Sequence, residues 1–440
     1  MLDRVNDENL RNSSASFYDI NGALNLNLNR NRLWLSVYNS YDDFTLGKEI
    51  RYGYGNLAGS AGWNFIINPV LASYVTIAYS NYNVEKDDIS DEIEKNRIES
   101  GIDYKGIKYR IKYSGLKKNV FDAGVSGTWY DIRHGRQSPL GEYSFVEPNT
   151  LENERGVEGA VFLNDEITIN SYISLDAGFR FSGYTGIGPK NILSYAEGST
   201  RDSSSITGSR YYGKGERIVS YFGFEPRLSA KFQFNSSSSI KMSYDRNIQY
   251  LSLISNSSVS TPSDIWKLSD PFIRPLIANQ FAVGYYRNFL NNSIESSLEV
   301  YYKNLANVIE YKNGIELDMI SNIESQLVNA EGRNYGLEFL VKKNSGKVEG
   351  WISYTFSRSL RKTSGNYPEE IINNGRWFPA SYDKPHDFTV VTSYHFNKRL
   401  SFTANFSYST GRPVTLPEYK YYACLLYTSD AADEEDSVDL

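Results

Sequence analysis

His134, His386 and His395 are the only imidazoles in the chain and Cys424 is its only thiol, so their spacing decides what chemistry is open to them. A bound transition metal needs several such ligands close together, as in His-x-x-x-His, His-Glu-x-x-His or paired cysteines. Here the three histidines stand far apart, and a single cysteine supports neither a disulfide framework nor a zinc cluster. The residues call for no metal and no cofactor. Nucleophilic or acid–base catalysis needs a serine or carboxylate within reach of a base. His386 beside Asp387 is the one candidate pair, and adjacent residues of a strand point to opposite faces, so they cannot act as one dyad. The glycines from Gly53 to Gly59 lack the Gly-x-Gly-x-x-Gly spacing that seats a nucleotide phosphate. These observations point away from an enzyme and toward recognition. Trp266, Arg376 and Trp377 combine a flat apolar face with hydrogen-bond donors, which suits sugars, aromatics or anionic chelates, and they are the candidate ligand-binding residues. Trp266 and Trp377 suit packing at the bases of their loops equally well.

The elements that must position these residues are strands. The chain has 440 residues, 40% of them hydrophobic, with a mean hydropathy of −0.47. No window offers the roughly 20 consecutive apolar residues of a transmembrane helix. Yet 36 Tyr, 22 Phe and 6 Trp make up 15% of the chain, a load foreign to disordered segments. With 46 basic against 52 acidic residues there is no cationic excess for nucleic acid. Leu400, Phe402, Ala404, Phe406 and Tyr408 alternate with Ser401, Thr403, Asn405, Ser407 and Ser409, giving one greasy face and one wet face. The same period recurs from Ile173 to Ser182, from Arg227 to Phe234 and from Glu295 to Lys303. These segments run well beyond the roughly 5–6 residues typical of soluble strands.

Short polar breaks fall near residues 29–30, 68–69, 117–119, 169–170, 235–238, 291–293, 344–346 and 397–398, about 53 residues apart, the length of two long strands and a loop. Eight hairpins predict sixteen strands. Between the breaks lie longer segments at roughly 133–153, 186–215, 251–275 and 361–383, rich in Ser, Gly, Pro and aromatics. Short turns at one end and long loops at the other are the asymmetry of an outer-membrane β-barrel. In hydrocarbon every backbone polar group must be paired across strands, and one apolar residue in two is then enough to face lipid. Strand-end aromatics such as Trp34, Tyr54, Trp63, Tyr172, Tyr250, Tyr285, Trp351 and Tyr354 are expected to form the interfacial girdles.

Residues 424–440 stand apart. The run from Cys424 to Glu434 resembles the translation of a transposon adapter used in sequencing libraries, and the segment is read as a non-native tail. Without Asp430, Asp433, Glu434, Glu435, Asp436 and Asp439 the acidic count falls from 52 to 46 and the net charge from −6 to 0. The residues after Met1 show no signal-peptide pattern, so either the chain is cytosolic or its beginning has been lost.

Several runs resemble the barrel strands of TonB-dependent outer-membrane receptors: Asn164-Asp165-Glu166, Glu225-Pro226-Arg227-Leu228-Ser229, Gly332 to Glu338 and Gly350 to Tyr354. Thr261 to Trp266, Pro275 to Gln280, Asn374 to Ala380 and Lys384 to Asp387 are similar to a subgroup that carries a carboxypeptidase-regulatory-like module before its plug. The resemblance runs from about residue 20 to 422 and implies an all-β, antiparallel transmembrane barrel of twenty-two strands, of which about sixteen are present here. Residues 1–423 then form part of such a barrel, without plug or N-terminal modules. The implied function is active uptake of a scarce extracellular ligand (a siderophore, cobalamin, an oligosaccharide or a peptide) across the outer membrane of a Gram-negative bacterium. Implied partners are outer-membrane lipid, the ligand, and the TonB complex through the missing N-terminal part. A passive sixteen-stranded porin is the alternative that the strand count leaves open. An incomplete barrel is expected to form a curved sheet with two unpaired long edges or a gap.

Overall fold

The computed structural model describes residues 11–254, 264–312, 319–363, 365 and 367–413. The tail 424–440 lies outside the described residues. Sixteen long strands carry the fold: β1 (Ser14–Leu28), β2 (Asn31–Leu46), β3 (Ile50–Asn68), β4 (Leu71–Asp88), β5 (Asn96–Tyr113), β6 (Asn119–Pro139), β7 (Glu154–Thr168), β8 (Ile173–Ile187), β9 (Arg217–Asn235), β10 (Ser238–Gln249), β11 (Leu276–Phe289), β12 (Ile294–Tyr311), β13 (Leu327–Lys343), β14 (Val348–Thr363), β15 (His386–Asn397) and β16 (Leu400–Ser409). Each pairs antiparallel with the next in the chain, giving one continuous curved sheet. Among the described residues β1 pairs only with β2 and β16 only with β15, so the sheet does not close, as expected.

All eight short turns fall where the polar breaks placed them. Their chemistry is local. Asn68, Asn170, Asn235 and Asn397 each turn a side-chain oxygen back to accept a backbone N–H two or three residues on, at 2.8 to 3.0 Å. Asn29 supplies the left-handed backbone of the β1–β2 turn at φ 52°. Both devices are what Asn does in tight turns. At the opposite end the four expected loops fall at 140–153, 188–216, 250–275 and 364–385, the first shortened by the strand that runs on to Pro139. Two further connections, 89–95 and 312–326, were not expected. The second mixes Met319, Ile320 and Ile323 with polar residues, and Ile323 packs in a buried cluster with Ile254, Ile273 and Leu327. Gly47, at φ 59°, makes the 47–49 connection a tight turn.

The alternation resolves into rows. Leu26, Leu33, Trp63, Val75, Tyr109, Val125, Val161, Phe181 and Phe224 stand in direct register across β1 to β9. Most of these side chains are exposed, Val161 at 50% and Phe224 at 54%, which marks this face as the lipid wall. Of the expected girdle residues, Trp63, Tyr172 and Tyr285 are exposed. Trp34, Tyr250, Tyr54 and Trp351 are corrections, the last two standing on the inner face opposite Asp42 and Lys342. Trp34 lies on the other face from exposed Leu33 and Leu35, its ring filling the space over Gly62. Tyr250 is 2% exposed and belongs to an interior cluster. Strands of up to 21 residues exceed the roughly 9–11 needed to cross a bilayer, so the wall continues beyond the membrane at the long-loop end.

Candidate ligand-binding site at the loop end

On the inner wall at this end, Ile102, Tyr130, Ile132 and Tyr184 are buried beneath a strap, the small hairpin of Leu251–Ile254 and Ile265–Leu268. The strap brings Leu268 and Trp266 onto the wall, and Tyr250 just before it stacks on Tyr184 with centroids 5.1 Å apart and planes 13° apart. Below it runs a polar chain. Tyr130 Oη donates to Glu158 Oε2 at 3.1 Å, Arg180 Nη2 donates to Glu158 Oε1 at 2.6 Å, and Ser182 Oγ donates to Glu225 Oε1 at 2.7 Å while lying 2.9 Å from Tyr250 Oη.

The strap is pinned by charge. Lys267, whose side chain is 1% exposed, meets Glu154 at the start of β7 and Asp270 Oδ2 at 2.5 Å. Glu154 also pairs with Lys190 and accepts the Leu268 N–H at 3.1 Å, and His134 Nε2 lies 3.3 Å from it without a hydrogen bond. Asp270 in turn accepts the N–H groups of Phe272 at 2.8 Å and Ile273 at 2.7 Å. Burial alone would push the Lys267 ammonium down, but the carboxylates of Asp270 and Glu154 outweigh it and hold the group above the ordinary lysine range. Next to the strap, Tyr195 Oη donates to Glu324 Oε1 at 2.9 Å, and burial followed by that carboxylate raises the phenol. Lys312 Nζ donates to Thr200 Oγ1 at 3.1 Å, so the loops 188–216, 250–275 and 312–326 form one body.

Between these loops and the wall lies a cavity of about 240 Å³ whose lining includes His134, Glu154, Lys190, Phe272, Met319 and Glu324. Apolar surface beside charges of both signs can hold a polar ligand. Among the described residues no cluster of His, Cys, Asp and Glu could hold a metal ion. Trp266 lines a smaller adjoining pocket with His134, Ile132 and Met319, partly buried against the interior cluster. Trp377 sits elsewhere, with the Arg333 guanidinium 4.3 Å from its ring on the outer face of β13, and Arg376 beside it is exposed. The structure therefore does not bring the three candidates together. His386 faces outward and lies 2.9 Å from Tyr354 Oη through Nδ1, while Asp387 points the other way. Sequence reasoning missed Glu154, Lys190 and Lys267, and weighed His134 only as a metal ligand. The available signal was Lys267 inside the apolar run Ile265-Trp266-Lys267-Leu268, since a buried cation must find a carboxylate.

No curated protein matches the chain. Solved structures do. The copper transporter OprC has a TM-score of 0.63 at 10% identity, covering 88% of this chain and 57% of its own. BauA, the ferric preacinetobactin receptor of Acinetobacter baumannii, has a TM-score of 0.63 at 10% identity, covering 92% of this chain and 63% of its own. The ferric-catecholate import receptor Fiu from K12 E. coli has a TM-score of 0.61 at 14% identity, covering 91% and 65%. The chain thus spans less than two thirds of each, and at these identities the likeness is one of fold. The family described as TonB dependent receptor-like, beta-barrel matches residues 2–431. Over nearly its whole length the chain belongs to the TonB-dependent receptor β-barrel family of Gram-negative outer-membrane proteins.

Proposed function

We propose that this chain is the barrel part of a receptor that takes up a scarce extracellular ligand with energy delivered through TonB. The observation that carries the reading is the strap. A passive channel is water-filled, whereas here a hairpin is folded onto the inner wall at the outer end by an apolar cluster and a buried Lys267–Glu154 pair. Such a site favours a ligand that is bound and then released by work, over one that diffuses through. The ligand contacts would come from Trp266 and the neighbouring cavity; Arg376 and Trp377, on the outer side, are further from that route. Siderophore, cobalamin, oligosaccharide and peptide all remain compatible, since ligand choice resides in the loops. The test is uptake by cells carrying the full-length protein, with the proton gradient intact and collapsed. Uptake that stops on collapse supports the receptor; uptake that continues at the same rate identifies the porin.

A further inference from the structure

The most exposed large apolar side chain among the described residues is Phe145, at 83%, and Tyr143 two residues before it is 69% exposed. Neither ring faces lipid. Both lie in the loop 140–153, and β5 at its side runs 18 residues, about eight more than a tilted strand needs to cross hydrocarbon. At about 3.3 Å per residue and a tilt of about 45°, that excess lifts the loop roughly 20 Å clear of the membrane. Hydrogen bonds to the turn 89–95 hold the rings out. Phe145 N donates to Ile93 O at 2.9 Å, Ser144 Oγ to Lys95 O at 2.5 Å, and Leu140 N to the same Lys95 carbonyl at 3.0 Å. Asp91 fixes the turn in its own right by accepting the Ile93 N–H at 3.1 Å. With Ser144 bonded to the turn, its two neighbours project into solvent beside Ile93, itself 49% exposed. A surface ordered in advance loses little further entropy when it is covered.

The charge around these rings is one-sided. Segments 89–95 and 140–149 hold five carboxylates, Asp91, Glu92, Glu94, Glu142 and Glu147, all on exposed residues, against one cation, Lys95, which pairs with Glu92. Among the described residues Glu94, Glu142 and Glu147 form no ion pair. Shape and charge together select the occupant. A small ligand needs a concavity that closes around it, and a projecting ring supplies none. Anionic lipid headgroups are repelled by the carboxylates. What fits is a folded protein whose own surface offers an apolar pocket to each ring and lysine or arginine at the pocket rim.

We propose that the outer tip of β4 to β6 is the docking surface for a folded, basic protein at the cell surface. Phe145 and Tyr143 are its two anchors, and Ile93 completes the apolar centre between them. Glu142 and Glu147 on one loop and Glu94 on the other choose a cationic rim and speed encounter with it, which is what exposed charges around an apolar centre do best. The surface depends on the chain standing in the outer membrane and is independent of what the receptor transports.

The test is photo-crosslinking on living cells of the source bacterium carrying the full-length protein with p-benzoylphenylalanine at Tyr143, which keeps a ring in place. The control carries it at Ile371, 41% exposed in the loop 364–385. The probe at Tyr143 should give one discrete, protease-sensitive adduct whose joined peptide, read by mass spectrometry, is rich in lysine or arginine, and the probe at Ile371 should not. Phe145→Ala, and separately Glu142→Lys/Glu147→Lys, should each cut the yield about tenfold at equal surface abundance. Raising the salt from about 0.15 to 0.5 M should lower it too, because screening shortens the reach of exposed charges. No adduct, an adduct with lipopolysaccharide alone, or a yield indifferent to salt and to charge reversal overturns the proposal. The salt comparison needs no further substitution, so it stands even if the variants fail to reach the surface.

Discussion

Lys267 and Glu154 lie 113 residues apart in the chain, yet their side chains meet in the interior with 1% and 5% of their surface exposed. Breaking one side of a buried pair leaves an uncompensated charge, at a cost of about 3–5 kcal/mol. Glu154→Ala removes the carboxylate from Lys190 and one of the two from Lys267, as well as the acceptor of the Leu268 N–H, so it is expected to release the strap more completely than Asp270→Ala. Limited proteolysis within 250–275 reads this directly; unchanged cleavage in Glu154→Ala would mean that the apolar cluster alone holds the strap.

The pH behaviour of the strap follows from the same pair. A lysine held above its ordinary value in the folded state contributes stability in full below the unfolded value of about 10.4 and loses it as pH rises through the folded value. Strap docking through Lys267 should therefore be unaffected by the ammonium from neutrality to about pH 10, and should weaken only above that. The difference in emission between the wild type and Trp266→Phe isolates the strap indole; a shift appearing between about pH 7 and 9 would contradict the assignment.

Trp266→Ala and Trp377→Ala should part company. Trp266 lines the inner pocket, so its loss is expected to weaken ligand binding by about tenfold, while Trp377→Ala on the outer wall leaves binding near wild type. Surface abundance must be measured alongside. If Trp266→Ala loses abundance and binding equally, Trp266 belongs to the scaffold and the ligand contacts lie elsewhere in the cavity.

Two long unpaired edges carry a consequence for the isolated chain. Unpaired N–H and C=O groups along β1 and β16 invite pairing between molecules. Residues 1–440 refolded by themselves in detergent are expected to aggregate and to conduct no ions. A heat-modifiable monomer that forms steady channels in a planar bilayer would reverse this and favour the porin.

How much of this was legible follows the range of the interactions involved. The eight short turns could be read because an Asn such as Asn170 satisfies its own neighbours, a signal contained in three or four residues. The face on which a ring lands was harder. Leu33-Trp34-Leu35 is apolar throughout, so nothing in the run says that Trp34 turns inward over Gly62, a residue of the next strand. Bulges add to the difficulty, as between Glu99 and Gly101, where the register against β6 slips. The site was least legible, because Glu154, Lys190 and Lys267 come from three separate segments that only the folded wall and strap bring together.

The order of the sheet has a bearing on how the chain is assembled. Every long strand lies beside its immediate predecessor in the sequence, so no strand waits for a partner that has yet to be made. Sequential pairing of this kind keeps loop-closure entropy small at each step, and the wall is expected to grow hairpin by hairpin. The Lys267–Glu154 contact is one exception, since it closes a long loop and needs β7 in place before the strap can dock. In pulse-labelled refolding the amides of β7 and β8 should accordingly become protected before those of Ile265–Leu268, which makes the recognition surface a late addition to a wall already standing.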